Sequence, residues 1–203
     1  MAATIRSFVA VDLSDANREA LAPHLEECAR LAPGYRWVLP DSLHLTLRFL
    51  GHLELPVLER VRHELQSVRA APFRLALEGR GTFGSRSAPK VIWLGVGEGR
   101  DACRALARAV EAACQAAGSE PEARGFRAHI TLARQRKEGV RLPERPELPP
   151  LERWMVEEFV LYESRLRGQP RYVALERYPL RSDSSNACAS PAEEASGSTL
   201  QRE

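Results

Sequence analysis

The sequence predicts an α+β domain in which helices pack outside largely antiparallel sheets. Three observations carry this expectation. A chain of 203 residues fits one compact domain or two small lobes. Its apolar fraction of 44% is ordinary for a globular chain. Strand-like and helix-like periodicities alternate over residues 1–181, whereas residues 182–203 carry six serines and no aromatic residue. That terminal stretch has too little apolar surface to offset the entropy of ordering, so a domain over 1–181 and a disordered tail over 182–203 are expected.

The elements follow in order. Residues 4–12, rich in Ile, Phe and Val, read as a buried strand. Ser14 can cap a helix reaching Leu31, with Pro23 expected to kink or restart it. Residues 43–50 form a strand, and 56–70 have helical periodicity with Pro56 in the first turn. Residues 73–78 and 90–96 are strands, and the Ala-rich segment 101–117, ending before Gly118, is the strongest helix. Residues 128–136 form a strand, the four prolines of LPERPELPP mark a loop, and 156–163 and 172–178 close the domain as strands.

Charge and cysteine content exclude several classes. The net charge of the chain is +2, but residues 1–181 hold 28 basic and 23 acidic residues, a net charge of +5, which mildly favours an anionic ligand. Only Lys90 and Lys137 are lysines; every other basic residue is an arginine, whose planar fork suits phosphate. Cys28, Cys103, Cys114 and Cys188 lack metal-like spacing and read as reduced thiols. Neither a signal peptide nor an apolar run of about 20 residues is visible, so a cytoplasmic protein without membrane contact is expected.

One motif is misleading. Gly79, Gly81 and Gly84 spell G-x-G-x-x-G, yet the segment behind them leads into a strand, not into the helix a dinucleotide site requires. A turn between strands is the expected use.

The informative motif occurs twice. Residues 44–47 read HLTL and residues 129–132 read HITL, in two expected strands. With five His and five Thr in the chain, random placement gives such a pair with a chance of roughly 0.6%. Alternate residues of a strand share a face, so His44 and Thr46 point one way, as do His129 and Thr131, while Leu45, Leu47, Ile130 and Leu132 point to the core. Two such faces brought together line a cleft with two imidazoles and two hydroxyls. This set suits phosphodiester chemistry: one imidazole removes a proton from water, the other protonates a leaving oxygen, and the hydroxyls of Thr46 and Thr131 donate to the phosphoryl oxygens. Both histidines have near-identical contexts, so residue type does not decide which is acid and which is base. His24, His52 and His63 have no such context and read as ordinary surface residues. Two imidazoles fall short of the three ligands of a catalytic zinc site, and no HExxH is present, so no metal and no cofactor are expected.

At these residues the chain resembles the two-histidine phosphoesterase superfamily, and within it the RNA 2′,3′-cyclic phosphodiesterases, also described as 2′-5′ RNA ligases. RSFVAVDL, RWVLPDSLHLTLRFLG, KVIWLGV, FRAHITLAR, EFVLYESRL and RYVALERYPL carry the resemblance, which spans about residues 4–181. It implies two pseudo-symmetric lobes flanking a central cleft, with His44 as proton donor and His129 as proton acceptor. It further implies hydrolysis of RNA 2′,3′-cyclic phosphate ends to 2′-phosphates, by a monomer needing no protein partner. Relatives acting on another cyclic phosphate, such as a small cyclic nucleotide or ADP-ribose 1″,2″-cyclic phosphate, and a non-catalytic RNA-binding module are the alternatives. The family's second motif also implies phosphate contact by Arg134. In an ideal strand, however, Arg134 shares parity with Ile130 and Leu132, so it reaches the cleft only past a bulge or strand end, whereas Arg48 and Arg127 share parity with the histidines and are alternative phosphate ligands. Tyr35, Trp37, Phe126 and Tyr162 are candidates to stack on a base, with core packing the plainer use.

Overall fold

The computed structural model of the chain describes residues 3–85, 87–136, 146–165 and 170–182. Its elements run β1 (Thr4–Asp12), α1 (Asp15–Leu31), β2 (Tyr35–Trp37), β3 (His44–Glu54), α2 (Leu55–Leu65), β4 (Phe73–Leu75), β5 (Leu77–Gly84), β6 (Pro89–Val96), α3 (Arg100–Ala116), β7 (His129–Gln135), β8 (Trp154–Val156), β9 (Glu158–Ser164) and β10 (Tyr172–Pro179). The main sheet has the order β10-β9-β1-β3-β7-β6-β5, with β2 paired to β7 beside β3; β4 and β8 form a separate ribbon. Every recorded strand pair is antiparallel, so the α+β expectation holds.

Two halves of the sheet meet at one point. Strands β3 and β7 share a single backbone pair, Leu45 with Ile130, beyond which they diverge. The units β1-α1-β3 and β6-α3-β7 are the repeat behind the repeated motif: in each, an antiparallel pair of strands is connected through a helix. Leu45, Leu47, Ile130 and Leu132 are buried together with Val9, Leu94, Leu106 and Val110 in one core that spans both halves. Helix α3 supplies Cys103, Leu106, Ala107, Val110 and Cys114 at helical spacing, and Gly118 follows it with φ of 88°, a conformation that favours glycine.

Several boundaries differ from the sequence reading. The strand expected at 73–78 splits, because β4 pairs with β8 while β5 pairs with β6. Helix α2 stops at Leu65, and β3 runs on to Glu54. Strand β2 was not expected; three residues are too few to show a period. Helix α1, capped by Ser14, runs through Pro23 as one element. His24 lies on its core face beside Leu21, Leu25 and Cys28, which corrects the surface reading; His52 and His63 are exposed as expected. Gly79, Gly81 and Gly84 belong to β5 and the turn into β6, with no helix behind them. No disulfide joins Cys28, Cys103 and Cys114, which are all buried. Cys188, and residues 183–203 of the expected tail, lie outside the described residues. Among the described residues no helix is long and apolar enough to cross a membrane.

Candidate active site

The site forms where β3 and β7 meet. His44 and Thr46 flank Leu45, and His129 and Thr131 flank Ile130, so the one Leu45–Ile130 pair brings both motifs together. All four side chains are partly exposed on one face, while Leu45, Leu47, Ile130 and Leu132 are buried behind them. The parity argument from the sequence therefore holds for both motifs.

Each histidine is held in the same way. His44 Nδ1 donates to the Ser42 carbonyl at 2.8 Å, and His129 Nδ1 donates to the Arg127 carbonyl at 2.7 Å. A carbonyl can only accept, so Nδ1 carries the proton in both rings and Nε2 is left as the working nitrogen. Aromatic walls fix the ring planes. Phe8 and Tyr172 stand 4.7 and 5.1 Å from the His44 centroid. Phe83 and Trp93 stand 5.1 and 6.1 Å from that of His129. Gly81 makes the second wall feasible, since a Cβ there would fall inside the Trp93 indole. This is the physical use of the glycine motif in β5.

The bulge that Arg134 requires is present, and it is present twice. In β7 the register slips between Thr131 and Ala133, leaving Leu132 as the extra residue; in β3 it slips between Thr46 and Arg48, leaving Leu47. Each slip reverses the parity that follows. Arg134 turns to the cleft, near enough to depress both histidines electrostatically. Phe49 turns out as well, 42% exposed. Arg48 turns inward: it is 5% exposed, pairs with Glu111 at 2.6 Å and Glu122 at 3.3 Å, and donates to the Glu120 carbonyl. The reading of Arg48 as a phosphate ligand is thus corrected. Arg127 lies over Trp93, 4.4 Å from the ring centroid.

The electrostatics of the two halves differ. Burial lowers both imidazole pKa values, that of His44 to about 4. Against this, the hydrogen bond to Ser42 and the nearby Asp12 carboxylate act to raise His44. Asp12 pairs with His44 in the sheet, and its two oxygens accept from Tyr162 Oη at 2.7 and 2.8 Å. Burial, and then that contact, push the Tyr162 hydroxyl pKa up. The residue in the corresponding place beside His129 is Gly95, and the charges that act there are Arg134 and Arg127. Asp12, Phe8, Phe83, Trp93 and Tyr172 escaped the sequence reading. Of the proposed stacking residues, Tyr35 is buried and donates to the Pro89 carbonyl, Trp37 donates to the Ala32 carbonyl, Tyr162 serves Asp12, and Phe126 lines the cleft.

Thr46, His129, Thr131 and Arg134 open onto a cavity of about 840 Å³. Leu47, Phe83, Val91 and Phe126 give it apolar wall, and Arg108, Arg124 and Lys90 give it positive charge. Its size and mixed lining suit one nucleoside unit. Among the described residues no group of three His, Cys, Asp or Glu side chains could hold a metal ion.

Comparison with known proteins adds the context of relatives. The family described as the 2'-5' RNA ligase superfamily matches residues 15–168. An RNA 2',3'-cyclic phosphodiesterase of Thermus thermophilus is 37% identical over 191 residues, covering 88% of this chain and 92% of the relative. The enzyme of the same description from Escherichia coli is 33% identical over 178 residues, covering 86% and 96%. One from Geobacillus stearothermophilus is 35% identical over 180 residues, but the chain spans only 56% of that relative's length. The crystal structure of E. coli LigT complexed with 3'-AMP matches with a TM-score of 0.71 at 32% identity, covering 88% of this chain and 99% of that one.

Proposed function

From the chain's membership of the 2'-5' RNA ligase superfamily, we propose that it hydrolyses RNA 2′,3′-cyclic phosphate ends to 2′-phosphomonoesters by two-histidine acid–base catalysis. The observation that carries this reading is the pair of histidines, each with Nδ1 tied to a backbone carbonyl, placed next to the Leu45–Ile130 pair at which the two motif strands meet. Relatives described as RNA 2',3'-cyclic phosphodiesterases support the substrate class.

The step follows from these positions. His129 Nε2 takes a proton from a water molecule as its oxygen attacks phosphorus. The bond from phosphorus to the 3′ oxygen breaks, and that oxygen takes the proton of His44 Nε2. The product is a 2′-phosphate beside a free 3′ hydroxyl. Thr46, Thr131 and Arg134 donate to the phosphoryl oxygens as charge builds on them. Asp12 acts on His44 alone and Arg127 on His129 alone, which is the one electrostatic difference in the direction of a donor at His44; burial outweighs it, and with Arg134 it holds both free imidazoles toward the neutral form. The incoming phosphate anion raises both pKa values and brings His44 into its acid form. No step requires a metal or a cofactor. Both motifs come from one chain, so a monomer is sufficient, with the domain at residues 1–181 and a cytoplasmic location.

The test is turnover of a dinucleotide ending in a 2′,3′-cyclic phosphate, followed by ³¹P NMR in EDTA. A 2′-phosphate product is expected, with His44→Ala and His129→Ala each nearly inactive and the double variant no worse than either. A His44→Ala protein with normal kcat, or activity lost to EDTA and restored by zinc, overturns the reading.

A further inference from the structure

Around the catalytic face the charge is unbalanced. Arg36 of β2 stands directly opposite Arg134 of β7, and both are exposed. Cross-strand partners share a face, and like charges in that position destabilise a sheet. From the other half, Arg6 of β1 lies 4.6 Å from the centroid of the exposed Phe49 ring and donates to Ser164 Oγ at 2.6 Å. Arg171 stands 5.8 Å from the Tyr172 ring, which itself contacts His44. Arg36, Arg171 and Arg6 all add positive potential at Arg134.

Among the described residues none of these four arginines pairs with a carboxylate, whereas Arg18, Arg48, Arg62, Arg165 and Arg177 all do. What sets these four apart is their placement: drawn from both halves of the sheet, they converge on Arg134 beside the cleft with no carboxylate among the described residues paired to any of them. The terminal phosphate, held by the threonines and Arg134, needs no more than one of them.

We propose that Arg36, Arg171 and Arg6 form a second anion site, which holds the internucleotide phosphodiester on the 5′ side of the terminal nucleotide. This inference rests on the function proposed above and extends it: the protein grips the RNA body as well as its end. It also gives the arginine-rich composition a use, since a planar fork can hold two oxygens of a phosphodiester.

The experiment compares a nucleoside 2′,3′-cyclic phosphate with a dinucleotide carrying the same end, on the wild-type protein and on Arg36→Gln and Arg6→Gln. The wild type should favour the dinucleotide by about tenfold in kcat/KM, the effect of one charge-assisted contact. Each variant should lose most of that preference while turning over the mononucleotide at the wild-type rate. The salt dependence for the dinucleotide should become shallower by about one phosphate contact. Equal losses on both substrates, or no loss on the dinucleotide, overturn the proposal. If the wild type turns over neither substrate, it is the enzymatic reading that fails. Calorimetric titration with a dinucleotide ending in a 2′-phosphate then tests the arginines alone, and an unchanged Kd in Arg36→Gln overturns them.

Discussion

The two bulges assign opposite fates to two arginines that look alike in the sequence, and a pair of substitutions separates them. Arg48→Met removes a cation that is 5% exposed and satisfied by Glu111, Glu122 and the Glu120 carbonyl. Breaking a fully buried ion pair costs about 3–5 kcal/mol. Here Glu111 and Glu122 keep 25% and 37% of their side-chain exposure, so water recovers part of their solvation, and the methionine fills the space of the arginine stem. The net cost reduces to about 2 kcal/mol, a fall of about 4–8 °C in Tm for a domain of this size. Because Arg48 forms part of the cavity wall without facing the phosphate, kcat should stay within about threefold while KM rises. Arg134→Met should do the reverse. It relieves the Arg36 repulsion, so Tm holds or rises, and it removes a transition-state contact, so kcat falls by about 10²-fold. Differential scanning calorimetry and saturation kinetics on both variants give the answer. A stable Arg48→Met protein without turnover, or an unstable Arg134→Met protein with full turnover, refutes the bulge argument.

Two further outcomes follow from the same geometry. Thr46→Val and Thr131→Val each keep shape and strand propensity but delete a donor; kcat should fall by about 10²-fold with both limbs of the pH–rate profile unmoved, and a wild-type kcat removes the threonines from the mechanism. Stability should fall on acidification: the folded His44 pKa of about 4 lies below its ordinary value, so between about pH 6.5 and 4 the unfolded chain binds a proton that the folded one excludes. The His44 term, fully present above pH 6.5, amounts to about 3 kcal/mol and is lost toward pH 4, with His24 and His129 acting in the same direction; a flat Tm between pH 7.5 and 5 contradicts it.

What the sequence disclosed and what it hid have a common cause. Period-two alternation is local, so HLTL and HITL show which side chains share a face, and the structure keeps all four together. A bulge is not local: it is a mismatch between a strand and its partner. Leu132 and Leu47 look like ordinary core positions, and only β6 and β1 reveal them as extra residues. Hence Arg134 looked inward and Arg48 outward, and both are the other way. Phe8, Phe83, Trp93 and Tyr172 escaped because they reach the histidines from other strands of the sheet, tens of residues away in sequence. His24 is different. Its spacing to Leu21, Leu25 and Cys28 is that of a buried helix face, and that signal was available in the sequence.

The deeper constraint is that a symmetric scaffold delivers two equal imidazoles to a reaction that needs two unequal ones. The backbone contributes nothing to the distinction, since both rings are tied by Nδ1 to the carbonyl two residues earlier. Burial contributes nothing in kind, since it drives both toward the neutral form. The tie is broken by the partner strand, where Asp12 stands beside His44 and Gly95 beside His129. Tyr162, Arg18 and Arg177 hold that carboxylate in place, the arginines at 3.6 and 3.5 Å. Their positive charge weakens its field at His44, so Asp12 biases the imidazole without forcing it to ionise. The remaining charge has to come with the substrate. On the mechanism proposed above, protonation of His44 is then coupled to the arrival of the phosphate that it serves.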